Sequence, residues 1–201
     1  TCPSAHGTQD FESALANSCN GAFAELSEKV GGSLFEEYVN EYGLTKSLNL
    51  SGIRTAKGSF TFPDEINANL AWAGIGQYED LINPCSYLRF VGIIAGGGSA
   101  AEPRLVKSLE APFALSGGEF KSSSTGDVMD ASTAEKLKSM MKNNVKETYG
   151  ESSFPGLDIY AKSGTAEVGG GKTPNSWFTG FIDNENKPYA FIVLVENGGS
   201  G

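Results

Sequence analysis

Apolar residues recur at helical spacing over the first forty positions and predict three short helices. Thr8 is the expected N-cap of the first, which should end at the tetrapeptide Asn17-Ser18-Cys19-Asn20. A second helix should follow at once and stop at Gly31-Gly32, and the capping box Ser33-x-x-Glu36 should open a third. Ser18 and Asn20 are therefore predicted to lie on a connection between two helices.

The middle of the chain alternates between irregular and strongly periodic segments. Residues 44–80 lack a sustained period and are rich in Gly, Ser and Asn, which predicts a long surface segment beside a site. A buried helix should begin at Pro84 and end at Gly96, and residues 104–109 are a candidate short strand. Asp130 should cap the most regular helix, whose apolar stripe contains Ala134, Leu137, Met140, Met141 and Val145.

The period changes to that of strands in the last fifty residues. Residues 159–166, 176–182 and 189–195 are strand-like runs separated by Gly, Pro and Asn turns, which predicts an antiparallel three-strand meander. The last run is apolar throughout, so helices should cover both faces of the sheet. We expect an α+β domain with a helical part at about 8–150 and the meander at about 157–197.

Charge and length narrow the possible functions. Fifteen basic and twenty-four acidic residues among 201 give a net charge of −9, which disfavours nucleic acid as a partner. The apolar runs are far shorter than the roughly 20 residues of a membrane span. The chain begins at Thr1 without a leader sequence, so we expect a segment of a longer protein, with any membrane anchor upstream.

The few metal-binding and nucleophilic residue types restrict the chemistry. The one histidine is His6, and the cysteines, Cys2, Cys19 and Cys85, form no CxxC pair and no evident disulfide framework. A zinc site from these four residues would lack the paired spacings of structural zinc. The sequence therefore predicts no metal and no cofactor.

Two motif matches are rejected on local geometry. Gly96 to Ala101 fits GxGxxA, but the preceding segment is helical and Pro103 would break the required following helix, so we interpret it as a helix stop. Ser139-Met140-Met141-Lys142 fits SxxK, a pattern in which lysine activates a serine nucleophile. The apolar stripe of that helix, however, places Ser139 on the opposite, solvated face.

Two short motifs gain meaning from their positions. Ser18-Cys19-Asn20 lies on a connection between helices, and Lys162-Ser163-Gly164-Thr165 lies on the first strand of the meander. A strand places Lys162 and Gly164 on one face, and the missing side chain of Gly164 lets a substrate backbone approach. Core packing is a poor explanation for such a lysine.

With these motifs, essentially the whole chain resembles the transpeptidase domain of penicillin-binding proteins, most closely the class B kind. Ser18-Cys19-Asn20 is similar to that family's second motif, and Lys162-Ser163-Gly164-Thr165 to its third, KTG-type motif. The segments Ile75-Gly76-Gln77 and Trp177 to Phe181 also resemble family segments. Ser163 replaces the commoner threonine, and the family's SxxK nucleophile, which precedes the second motif, is absent from this sequence.

The resemblance implies a partial β-lactamase/transpeptidase-like fold and a D,D-transpeptidase that cross-links peptidoglycan stem peptides through a serine acyl-enzyme. It implies that Ser18 relays a proton, that Asn20 holds the substrate amide, and that Lys162 supplies a positive field. It further implies that the hydroxyls of Ser163 and Thr165 bind the substrate carboxylate, that Gly164 admits the substrate, and that the Thr165 N–H helps bind the oxyanion.

The implied partners are peptidoglycan stem peptides and β-lactam antibiotics, at the extracytoplasmic face of a bacterial membrane. Without the SxxK serine we expect this chain to be inactive alone. Two alternatives remain open at this stage: a non-catalytic β-lactam-sensing or scaffold domain of the same fold, and a β-lactamase. We expect Asn20 and Lys162 to line one cleft.

Overall fold

The computed structural model describes residue 2 and residues 4–63, 67–77, 79–110, 118–186 and 188–200. The helices are α1 (Phe11–Ala16), α2 (Asn20–Val30), α3 (Gly32–Glu41), α4 (Ala68–Ala73), α5 (Pro84–Ala95) and α6 (Ala131–Asn144). A π-helical turn, Val145–Tyr149, and a 3₁₀ turn, Glu151–Ser153, follow α6. The strands are β1 (Asn49–Leu50), β2 (Ile53–Arg54), β3 (Ile159–Ala166), β4 (Asn175–Ile182) and β5 (Tyr189–Val195).

The sheet that carries the site is the antiparallel meander β3-β4-β5. In its register Lys162 lies opposite Thr179, and Gly164 lies opposite Trp177. Strand β4 is central, and among the residues that the structure describes β3 pairs with this strand alone. Its other edge faces the helical part of the molecule.

The main core lies between α5, α6 and one face of this sheet. Val91, Ile93, Ala134, Met141 and Phe181 are buried together there. On the opposite face of β3 and β4, Val145 and Ala161 form a second buried cluster, which Tyr149, Phe154 and Phe178 cover. On β5 three side chains remain about half exposed or more: Tyr189, Val193 and Val195.

Two predicted helix starts are wrong. Asp10, not Thr8, caps α1, because its carboxylate accepts a hydrogen bond from the Ser13 N–H at 2.8 Å. Helix α3 begins at Gly32 rather than at a Ser33 capping box. Gly32 packs so closely that an added Cβ would lie 2.4 Å from the Pro63 carbonyl oxygen, so this first residue of α3 has no room for a side chain.

The candidate strand at residues 104–109 is also wrong. Among the described residues it forms only an isolated bridge between Ser108 and Glu119, and residues 111–117 lie outside the described part. The predicted stripe of α6 is confirmed, with Ala134 and Val145 completely buried. No helix in the described part of the chain is both long and apolar enough to cross a membrane.

Candidate functional site

The turn between α1 and α2 carries the first candidate motif. Ser18 has a φ of 48°, in the left-handed region that non-glycine residues seldom adopt. Its N–H donates to the Leu15 carbonyl oxygen at 3.1 Å, and the Cys19 N–H donates to that of Ala14 at 2.9 Å. These bonds close the turn and leave the Ser18 side chain exposed.

Lys162 on β3 meets this turn across 144 positions of sequence. Its Nζ donates a short hydrogen bond to Ser18 Oγ and a second, of 3.0 Å, to the Ser163 carbonyl oxygen. Burial lowers the pKa of Lys162 below the ordinary lysine value, and the neighbouring Tyr149 opposes that shift. A partly desolvated ammonium beside a serine hydroxyl can exchange a proton with it more readily than an exposed lysine can.

The pairing of β3 leaves one edge of its backbone directed away from β4. The Ser163 N–H points this way and donates to the Tyr149 hydroxyl at 2.7 Å. Residues two apart in a strand direct their backbone groups to the same side, so the Thr165 N–H and C=O also face this edge. Gln77 Nε2 donates to the Thr165 carbonyl oxygen at 3.1 Å, which brings residues 67–77 to the same place.

Gly164 lies on this edge strand between the two hydroxyl residues of the motif. A Cβ at Gly164 would lie 3.6 Å from Trp177 Cβ, an ordinary van der Waals distance, so the protein itself has room for a side chain there. Within the sheet, by contrast, a Cβ at Gly180 would lie 2.0 Å from the Tyr160 carbonyl oxygen. Packing therefore explains the glycine at 180 and does not explain the glycine at 164.

Asn20 is the first residue of α2 and is partly buried, two positions after Ser18. Its side chain therefore starts on the same turn that Lys162 contacts. The expectation that Asn20 and Lys162 line one cleft stays a prediction.

The rejected SxxK match lies elsewhere. Ser139 is exposed on α6, and Lys142 Nζ forms an ion pair with Asp158 Oδ1 at 2.5 Å. This hydrogen bond raises the pKa of Lys142. A lysine held protonated in this way is a poor base for a serine. Ser139 and Lys142 line a cleft of about 420 Å³ that contains charges of both signs, among them Glu135, Lys146 and Glu151.

Sequence reasoning missed the part played by Tyr149. Its hydroxyl binds the backbone of the Lys162 motif, and its ring packs edge-on against Phe178 at 5.6 Å between centroids. Tyr149 follows buried Val145 by four residues, which in a helix marks a shared face. That spacing indicated burial, but no local pattern indicated which strand the hydroxyl would reach.

The comparisons with known proteins agree on one family. The sequence model described as penicillin binding protein transpeptidase domain matches residues 1–201. Peptidoglycan D,D-transpeptidase PbpA of Mycobacterium tuberculosis is 28% identical over 195 residues, which cover 95% of this chain and 39% of that protein. Penicillin-binding protein H of Bacillus subtilis is 26% identical over 179 residues, 79% of this chain and 24% of that one. The chain thus spans about two fifths of the length of PbpA.

Solved structures give the same result for the fold. The ceftriaxone acyl-enzyme complex of penicillin-binding protein A from M. tuberculosis matches with a TM-score of 0.88 and 26% identity, over 98% of this chain and 46% of that one. The penicillin G acyl-enzyme complex of the same protein matches with a TM-score of 0.85. The predicted fold class, an α+β transpeptidase-like domain with an antiparallel sheet, is confirmed.

Proposed function

Because the chain belongs to the penicillin-binding protein transpeptidase family, we propose that it is the C-terminal portion of a peptidoglycan D,D-transpeptidase domain. The observation that carries the proposal is the contact between Lys162 Nζ and Ser18 Oγ, which joins the second and third family motifs. The catalytic serine and its lysine belong to an SxxK segment upstream of Thr1. Alone, residues 1–201 do not form an acyl-enzyme.

In this mechanism the lysine of the upstream SxxK segment takes the proton of the serine hydroxyl, the serine oxygen attacks the D-Ala-D-Ala amide carbonyl, and the C–N bond breaks after a tetrahedral intermediate. Ser18 gives its proton to the departing nitrogen, which is general acid catalysis and contributes about 10²- to 10⁴-fold in comparable enzymes. Lys162 stabilises the Ser18 oxygen as that proton leaves, and its lowered pKa eases the return of a proton. Asn20 binds the substrate amide beside this relay.

The edge of β3 that faces away from β4 binds the substrate backbone. The Thr165 N–H supplies one oxyanion donor, and one such donor is worth about 3–4 kcal/mol in comparable sites. The hydroxyls of Ser163 and Thr165 bind the terminal carboxylate in the positive field of Lys162. Gly164 keeps the strand surface bare, which agrees with its lack of any packing constraint.

The proposed partners are peptidoglycan stem peptides and β-lactams, whose strained amide takes the place of the D-Ala-D-Ala bond. We place the domain on the extracytoplasmic face of a bacterial membrane, held there by an upstream anchor. The half-exposed apolar side chains of β5 are the surface on which the upstream part of the domain packs.

The test uses two proteins: residues 1–201 alone, and a longer protein that contains these residues after the upstream SxxK segment. Each is incubated with a fluorescent penicillin, denatured and analysed for covalent label. We expect label only in the longer protein, on the SxxK serine, with slow loss of label on dilution.

Ser18→Ala in the longer protein should slow labelling about 100-fold or more. Label on any serine of residues 1–201 would overturn the placement of the nucleophile. Fast hydrolysis of the label would favour a β-lactamase, and labelling without release of D-Ala from a stem pentapeptide would favour a sensing domain.

A further inference from the structure

A second group of reactive side chains lies directly behind the Ser18 turn. Cys2, His6 and Cys19 bring one ligand atom each to within 4.8 Å of one another. Cys19 is the middle residue of the Ser18-Cys19-Asn20 motif, whereas Cys2 and His6 belong to the irregular segment before α1. From this cluster we propose that Cys2, His6 and Cys19 bind one Zn²⁺ ion, with a solvent molecule as the fourth ligand, and that the ion fixes the Ser18 turn.

The separation of the sulfur atoms fits a metal better than a disulfide. Cys2 Sγ and Cys19 Sγ are 3.7 Å apart. Two thiolates on a tetrahedral zinc ion, each at about 2.3 Å, lie about 3.8 Å apart. A disulfide requires about 2.05 Å, so its formation would move the two sulfur atoms more than 1.5 Å closer.

His6 has a buried nitrogen that no other group satisfies. Its Nδ1 has no hydrogen-bond partner among the described residues, although water cannot reach it. A buried polar atom without a hydrogen-bond partner lowers the stability of the folded state, so such an atom often marks a site for a missing ligand or ion. His6 Nε2 lies 3.2 Å from Ser4 Oγ. If Nε2 carries the proton and donates it to Ser4, the Nδ1 lone pair is free for a metal, as in the outer-shell support of many zinc ligands.

Cys2 is also placed for the ionised form that binds zinc. Cys2 Sγ accepts a hydrogen bond of 3.4 Å from the Gly21 N–H in the first turn of α2. A helix N-terminus stabilises negative charge. Cys19 is the N-cap of α2 but makes no side-chain capping bond, so its buried sulfur is available. Binding would release the thiol protons to solvent.

The alternative is a weak S–H···S contact between two free cysteines, which the same distance permits. That interpretation leaves the buried His6 Nδ1 without a partner among the described residues. It also does not explain why the ligand atoms of Cys2, His6 and Cys19 lie so close together. Soft thiolate and imidazole ligands together select zinc over the hard cations. Sequence spacing missed the cluster because Cys2 and Cys19 are seventeen residues apart.

The experiment measures zinc in the purified protein that contains this chain, after reduction and in an oxygen-free buffer. We expect one zinc ion per chain, and an increase in the melting temperature of about 5–10 °C at zinc concentrations 100-fold above the dissociation constant. Cobalt(II) in place of zinc should show thiolate-to-metal charge-transfer absorption in the near ultraviolet.

Three single variants, Cys2→Ser, His6→Ala and Cys19→Ser, should lose both the bound zinc and the cobalt absorption. Cys85→Ser is the matched control and should keep both, because Cys85 lies outside the cluster. Ser4→Ala should weaken zinc binding by about 10- to 100-fold while the charge-transfer band remains.

The proposal is overturned if the reduced protein with three titratable thiols binds no zinc, or if Cys2→Ser binds zinc as tightly as the parent. A Cys2–Cys19 disulfide that forms in air and resists competition by zinc would also overturn it. None of these measurements depends on acylation, so they stand apart from the test of the transpeptidase proposal.

Discussion

Two lysines in this protein lie near a serine, and their surroundings shift the two pKa values in opposite directions. Lys142 on α6 follows Ser139 at the SxxK spacing and is bound to Asp158, which raises its pKa. Lys162 on β3 contacts Ser18 from the other end of the sequence, and burial lowers its pKa. Ser139 and Lys142 match the SxxK spacing, but Lys142 is held protonated and is therefore the poorer base of the two lysines.

The difference teaches that spacing alone does not make a catalytic pair. Lys142 Nζ is paired with Asp158 at 2.5 Å and lies 3.7 Å from Glu151, so its proton is stabilised. Lys162 bonds instead to two neutral oxygens, Ser18 Oγ and the Ser163 carbonyl oxygen, so neither bond offsets the cost of burying its positive charge. An opposite charge favours the charged form of a group, whereas desolvation disfavours it.

The largest expected difference between the two lysines is in the rate of β-lactam acylation after Lys162→Ala or Lys142→Ala. In the protein that includes the upstream SxxK segment, we expect Lys162→Ala to slow β-lactam acylation by about 100-fold or more, because the field at Ser18 and at the substrate carboxylate is lost. The melting temperature should change little. Lys142→Ala is the matched control and should acylate at the parental rate. Equal rates for the two variants would remove Lys162 from the mechanism.

Gly164→Ala should have the next largest effect and tests whether the strand beside Lys162 is the substrate edge. We expect acylation to slow by about tenfold, since a methyl group would stand where the substrate backbone packs, with nearly unchanged stability. Gly180→Ala should behave in the opposite way and lower the free energy of unfolding by about 1–3 kcal/mol through overpacking. Stability loss in Gly164→Ala with unchanged acylation would make Gly164 a structural residue.

The alkaline pH dependence of stability should show the opposite pKa shifts directly. Lys142 has a raised pKa, so its stabilising effect is complete below about pH 10.4 and is lost as the pH rises through its folded-state pKa. Lys162 has a lowered pKa, so stability should increase as the pH rises from its folded-state pKa towards about 10.4.

Thermal unfolding of the two alanine variants between pH 7 and 11 measures both contributions. The Lys142 contribution should be below about 1 kcal/mol, because the pair with Asp158 is partly exposed to water. If the contributions of both lysines to the free energy of unfolding changed with pH in the same direction, the surroundings assigned to them would be wrong.

Ser139→Ala should have the smallest effect. Ser139 is exposed and its neighbour Lys142 is engaged by Asp158, so penicillin labelling of the longer protein should remain at the parental level. A labelling defect in this variant, with Ser18→Ala labelled normally, would show that the α6 pair and not the β3 pair is catalytic.

Local patterns predicted much of the secondary structure. The stripe of α6 and the three strands of the meander follow from periodicity, because the side chains of a helix or strand repeat with the geometry of its backbone. The outward position of Ser139 came from the same argument. Helix starts were less certain: Asp10 and Thr8 are both good caps in sequence, and only the hydrogen bond to Ser13 distinguishes them.

What the sequence by itself determined is therefore local: the elements, the family motifs and the residue types available for chemistry. The tertiary structure alone decided which of these residues meet. The contact of Lys162 with Ser18, the bond from Ser163 to Tyr149 and the approach of Cys2 and His6 to Cys19 join residues that are 13 to 144 positions apart. No periodicity encodes such meetings, because they depend on how whole helices and strands pack, and packing is governed by the combined burial of many side chains.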